Sequence, residues 1–122
     1  MKTENIKFKA KSLNSGTWVV GDLLHRITDT CIAVKDMDDI VYYPVDPSTV
    51  CQFTGMKDCE DKEVWEGDII EFETIDLYKG IIKIKGIIEY TNSGFFAVVD
   101  DIPYPLNSKC IKVVGNKFDK VK

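Results

Sequence analysis

Hydrophobic and polar positions alternate along much of this chain with the period of two that an extended strand imposes. Ile6, Phe8 and Ala10 alternate with Lys7, Lys9 and Lys11, which predicts a strand with one buried face. Asn14-Ser15-Gly16 is turn chemistry. Trp18-Val19-Val20 follows, then Gly21-Asp22 and Leu23-Leu24, and Cys31-Ile32-Ala33-Val34 is an apolar run of strand length. Asp36-Met37-Asp38-Asp39 reads as a polar turn, and the β-branched and aromatic run Ile40-Val41-Tyr42-Tyr43 ends at Pro44. Asp46-Pro47-Ser48-Thr49 opens one short helical turn, with Asp46 as cap and Pro47 at its first position. No amphipathic helix longer than two turns stands out.

Gln52-Phe53-Thr54-Gly55 leads into Lys57-Asp58-Cys59-Glu60-Asp61-Lys62, which lacks apolar periodicity and reads as an exposed loop. It suggests a division into an N-terminal part, residues 1–50, and a C-terminal part, residues 51–122. Asp68-Ile69-Ile70-Glu71-Phe72-Glu73 predicts a strand. Residues 80–90 are rich in isoleucine and interrupted by Gly86, so they form either two strands or one strand bent at glycine. Thr91-Asn92-Ser93-Gly94 predicts a tight turn and Phe95-Phe96-Ala97-Val98-Val99 its returning strand. Pro103 and Pro105 remove two ladder donors and predict a loop over residues 100–105. Cys110-Ile111-Lys112-Val113-Val114 reads as the last strand. Short strands separated by turns predict a mainly β fold, a small barrel or strongly curled sheet with little helix.

Composition narrows the class. A chain of 122 residues buries roughly two-thirds of the surface it exposes when unfolded, enough to fold without metal or disulfide. No stretch has the roughly 20 apolar residues of a spanning helix, and Met1-Lys2-Thr3-Glu4-Asn5 lacks a signal-peptide core. A cytoplasmic protein is expected. Cys31, Cys51, Cys59 and Cys110 then read as reduced thiols, Cys31 and Cys110 as small core residues and Cys59 as exposed. Their spacing does not match a zinc site, so neither metal nor cofactor is expected. The net charge of −4 argues against phosphate neutralisation of duplex nucleic acid. Lysines concentrate only at Lys7, Lys9 and Lys11 and at Lys117, Lys120 and Lys122.

Catalytic constellations are sparse. His25 is the single histidine, and Ser12, Ser15, Ser48, Ser93 and Ser108 sit in turn-like contexts without a nucleophile elbow. Phosphate-binding glycine motifs are absent, and Asp36, Asp38 and Asp39 lack the glycine and distal glutamate of a calcium loop. Glu66 and Asp68 share one strand face and form the only candidate acid/base pair. Turn chemistry explains them more simply: Gly67 supplies a backbone angle and Asp68 accepts hydrogen bonds from turn amides. Aromatic side chains are the remaining candidates. Trp18 and Phe95 read as core, Tyr104 as exposed between its prolines, and Tyr42 and Trp65 as either; Tyr42, Trp65 and Tyr104 are the candidate partner contacts.

Gln52-Phe53-Thr54-Gly55-Met56-Lys57-Asp58, continued by Lys62-Glu63-Val64-Trp65-Glu66-Gly67-Asp68-Ile69-Ile70, resembles the central block of the YopX family of phage and prophage proteins. Ile6-Lys7-Phe8-Lys9-Ala10 is similar to that family's opening strand and Val113-Val114-Gly115-Asn116 to its closing "V-I-G-N". Asp61 stands where the family has glycine, a departure expected to alter turn type and not fold. The resemblance implies an SH3-like barrel in the C-terminal part, a β-rich N-terminal extension and a phage or prophage origin. It implies no activity. Mild acidity, the lack of a catalytic constellation and surplus aromatics lead to a non-enzymatic protein-interaction module with a host or phage protein as partner. The alternatives are a single-stranded nucleic-acid binder and, behind it, a small hydrolase built on Glu66, Asp68 and His25. Strand edges make a homo-oligomer a further expectation; no membrane partner is expected.

Overall fold

The computed structural model describes residues 6–92, 94–106 and 110–119; Met1 to Asn5, Ser93, Ser108, Lys120 and Lys122 of the sequence reading lie outside them. The chain divides into two compact units, Met1–Phe53 and Thr54–Lys122. Both are built from antiparallel strands, and among the described residues the one helical element is a single 3-10 turn.

In the first unit, β1 (Phe8–Lys11), β2 (Trp18–His25), β3 (Thr30–Asp36) and β4 (Asp39–Pro44) follow one another as a meander. The first half of β5 (Cys51–Lys57) pairs with β1, giving the order β4-β3-β2-β1-β5. Alternation places Phe8, Ala10, Val19, Leu23, Ile32 and Val34 in one apolar cluster with Val45 and Val50. The 3-10 turn Pro47–Thr49 is capped by Asp46, whose carboxylate accepts from the Ser48 N–H at 3.0 Å. Met37 (φ 55) opens the acidic two-residue hairpin turn before β4.

In the second unit, β5 runs on beside the short β6 (Glu63–Trp65). β7 (Asp68–Asp76), β8 (Gly80–Thr91), β9 (Gly94–Val99), β10 (Ile102–Pro105) and β11 (Lys112–Asn116) form a sheet in the order β10-β9-β8-β7-β11. The sheet is open: β10 and β11 are its edges, and the described strands close no barrel. Ile70, Phe72, Ile88, Ala97 and Val113 alternate inward and pack with Val64, Leu106 and Ile111. β8 is one twelve-residue strand. Gly86 lies where a Cβ would come within 2.9 Å of the Val99 side chain, so the glycine serves close strand approach.

Three expectations are corrected. Residues 102–105 form a strand despite two prolines. The two-residue turn Asp100-Asp101, both with positive φ, makes Val99–Ile102 the first hydrogen-bonded pair. Pro103 and Pro105 then fall at positions whose amide would point away from β9. Prolines on an outer strand cost no ladder bond and block further pairing. Cys110 is exposed rather than core, because it precedes β11 outside the sheet. It is also disulfide-bonded to Cys59, Cα atoms 5.7 Å apart, while Cys31 and Cys51 are buried. The Cys59 N–H donates to Ile111 O at 3.0 Å, which brings these distant segments together.

Asp61 keeps a left-handed backbone (φ 64), a conformation for which glycine is the default residue. Its N–H donates to Asp58 O, and Asp58 N–H donates to Lys62 O. Restoring glycine removes the Cβ penalty. Asp61→Gly is expected to raise stability by about 0.5–1 kcal/mol, read as a higher midpoint in denaturant; an unchanged or lower midpoint would contradict the turn assignment.

Candidate functional site

Hydrogen bonds tie the residues of the central block into the fold. The Thr54 hydroxyl donates to Val64 O at 2.7 Å and accepts from Met56 N at 3.1 Å, holding β5 to β6. The buried Asp58 carboxylate accepts from the Glu60 and Lys62 N–H groups at 2.8 Å and from Val113 N–H at 3.0 Å. Burial pushes its pKa up, but the Val113, Lys62 and Glu60 N–H donors, with the Lys62 charge, bring the carboxyl below its ordinary value. Gly67 (φ 87) donates to Ile88 O at 2.8 Å and accepts from Lys117 N–H at 2.9 Å. Asp68 is buried; one oxygen accepts from Trp65 N–H at 2.8 Å and the other from the Asn116 amide at 2.9 Å. Asn116 Oδ1 in turn accepts from Phe118 N–H at 2.9 Å. The closing Gly115-Asn116 is thus tied directly to the central Gly67-Asp68.

Both oxygens of Asp68 are thus engaged by groups of the fold. His25 lies on β2 in the first unit, its Nδ1 3.3 Å from the Thr30 hydroxyl. Neighbouring Arg26 forms a bidentate pair with Asp29 at 2.7 Å, whose hydrogen bonds hold the Asp29 carboxyl below the usual carboxylate range.

The candidate aromatic contacts separate. Tyr42 is exposed on β4, with the Arg26 guanidinium 5.9 Å from its ring centre. Trp65 is 5% exposed, so its ring has little surface to offer a partner. Tyr104 is half-buried rather than exposed, its ring edge-to-face with Phe72 at 5.5 Å. Trp18 is half-buried with the Lys9 and Lys11 ammonium groups each 4.6 Å from its ring centre. Phe96 stands opposite Glu89 on β8 and Pro105 on β10.

The most exposed apolar feature of the second unit is one the sequence reading passed over. β7 and β8 extend as a hairpin arm whose tip carries Leu77 and Tyr78, each 95% exposed, above the exposed cross-strand pair Ile75 and Ile81. The tip is not loose. Asp76 Oδ1 accepts from Tyr78 N–H at 2.8 Å and Lys79 N–H at 3.0 Å, and Gly80 (φ 79) closes the three-residue loop. The signal was available: bulky apolar residues occupy a turn between Asp76 and Gly80, where turn chemistry calls only for polar ones.

A groove of ≈ 650 Å³ continues from the arm along β7 to the Cys59–Cys110 disulfide. Its apolar lining comes from Phe72, Ile75, Ile81 and the Cys59–Cys110 disulfide. Glu73 lies opposite Lys83, and Glu71 opposite Lys112, in the strand register around it. With Glu60 also in the lining, three glutamates face two lysines, so the groove presents an apolar strip inside a charged, mildly acidic rim.

Among the described residues, no helix is long and apolar enough to cross a membrane. No curated protein matches the chain, and no solved structure does. The family model described as YopX protein matches residues 2–120, nearly the whole length, in accord with the opening, central and closing motifs and with the hydrogen bonds joining the last two. The chain belongs to the YopX family.

Proposed function

We propose that this chain is a non-enzymatic protein-interaction module of a phage or prophage, acting in the host cytoplasm and built on an SH3-like curled sheet. Its partner is a host or phage protein that covers the β7–β8 arm tip and the adjoining groove with an apolar segment. The observation that carries this reading is the pair Leu77 and Tyr78, fully presented on a turn fixed by Asp76. Large apolar side chains held rigidly in solvent have no role in the fold. They are the residue types that act as interface anchors, and a fixed turn lowers the entropy lost on docking.

Replacing both residues, Leu77→Ser with Tyr78→Ser, is expected to leave stability within about 0.5 kcal/mol, as for other surface changes. The same variant is expected to weaken partner binding by at least about a hundredfold, the scale of losing two anchors. Partner titration with wild type and variant checks this; equal affinity for both would end the proposal.

A single-stranded nucleic acid is the second reading, and Lys9 and Lys11 over Trp18 are the observation on its side. The arrangement serves it poorly, because the ammonium groups stand over the ring on which a base would stack.

A further inference from the structure

β4 is an outer strand of the first unit's sheet, and it lacks the devices that keep outer strands from pairing. β10 carries Pro103 and Pro105 at its outward positions. β11 is broken by a bulge between Val113 and Gly115, and β6 is three residues long. β4 instead offers Ile40, Val41, Tyr42 and Tyr43, all exposed, with no charge among them and its one proline in last place. An outer strand that is apolar and unblocked is a template for another strand.

Its hydrogen-bonding direction follows from the hairpin. The two-residue loop Met37-Asp38 makes Asp36–Asp39 a hydrogen-bonded pair, and such pairs alternate along an antiparallel ladder. Val41 and Tyr43 therefore bond to β3, whereas Ile40 and Tyr42 turn their N–H and C=O groups outward.

We infer that β4 pairs with β4 of a second copy of this chain, antiparallel, about a two-fold axis normal to the sheet at Val41. Directly opposed residues of an antiparallel pair share a face. Such an axis carries each face onto itself, so the numbers of opposed residues must sum to an even value. Centring on Val41 sets Ile40 opposite Tyr42 of the second copy, twice over. Every outward N–H and C=O of Ile40 and Tyr42 then finds a partner. It also places a β-branched side chain beside an aromatic one, a favourable cross-strand combination. Centring on Tyr42 would put Pro44, which has no N–H, opposite Ile40, and centring on Ile40 would put the turn residue Asp38 opposite Tyr42. The strand is thus complementary to itself in one register, which selects a second copy over a foreign segment. A single strand pair falls short of a standard interface, so the dimer is reversible and concentration-dependent. This site is separate from the β7–β8 arm.

Sedimentation velocity over a concentration series of the full chain tests the inference. Wild type is expected to shift from monomer to dimer. Ile40→Lys and Tyr42→Lys are each expected to weaken the dimer at least about tenfold, because a lysine at the centre of the edge sets a charge against an apolar partner in the seam. The Leu77→Ser, Tyr78→Ser variant is expected to dimerise as wild type does, which keeps this test distinct from that of the arm. Val41→Cys reads the register: its thiol meets its own copy across the axis and is expected to give a covalent dimer under mild oxidation. Tyr43→Cys, which would face Asp39, is expected to give none. A monomer at every concentration, a dimer unaffected by both lysine variants, or one that Val41→Cys fails to link would overturn the proposal.

Discussion

Asp68→Ala is expected to lower the unfolding free energy by about 3 kcal/mol, the range for removing one partner of a buried, charged hydrogen-bond network. Asp68 is the buried junction between the turn after β6 and the end of β11, accepting from Trp65 N–H and from the Asn116 amide. Alanine would leave both donors buried against an apolar methyl group. Asn116→Ala removes the second partner as well, so the two changes should not add. The double variant is expected to cost less than the sum of the singles by about 0.5–3 kcal/mol. Urea unfolding of the four proteins measures this coupling. Strict additivity, or a single-variant loss under about 0.5 kcal/mol, would show that Asp68 does not hold the closing strand and would return it to consideration as a chemical group.

Asp58→Ala should cost about 3 kcal/mol at neutral pH for a related reason. One carboxylate organises the β5–β6 turn through Glu60 and Lys62 and reaches across to Val113, residues far apart in the chain. Asp58→Asn keeps one acceptor oxygen and is expected to cost ~1–2 kcal/mol. The pH dependence has a definite sign. Despite the opposing effect of burial, the folded-state pKa of Asp58 lies below its ordinary value. An unfolded aspartate titrates near ~3.9. The contribution of the ionised carboxylate is therefore fully present above that value and is lost as pH falls through the lower, folded value. Wild type should outlast Asp58→Asn by a constant margin above about pH 5, and the margin should shrink below about pH 4. A margin that grows on acidification would contradict the assignment.

Strands with one buried face were legible because a period of two is written directly in residue order. β1 shows this in Phe8 and Ala10 against Lys9 and Lys11, and β7 in Asp68, Ile70 and Phe72 against Ile69, Glu71 and Glu73. The structural role of Gly67 and Asp68 was legible because turn chemistry is local. What was misread depends on contacts that sequence order does not carry. Two prolines predict a loop over β10 because proline forbids a central strand, and only the partner on one side shows that it is an edge. The Cys59–Cys110 pair lies 51 residues apart, and the Asp58–Val113 bond that sets its register joins the same distant segments. Trp65 and Tyr104 were candidates by residue type, but burial depends on the whole sheet. The arm tip went unnoticed for a converse reason. Periodicity locates what is buried, and Leu77 and Tyr78 matter for being exposed.

The arm as docking element is tested most directly by site-specific photo-crosslinking. A benzophenone side chain at position 78 would be compared with one at Met37, a similarly exposed apolar position on a hairpin turn of the other unit. Both proteins would be irradiated in host cells after phage induction. The account expects one discrete, nuclease-resistant adduct with a foreign protein from position 78 and, from position 37 beside β4, no adduct other than with a second copy of the chain. Excess wild-type protein should suppress the adduct, and the Leu77→Ser, Tyr78→Ser variant should not. No adduct at position 78, the same adducts from both positions, or adducts that vanish with nuclease would contradict the arm as a protein-docking element; the last would move the assignment to nucleic acid.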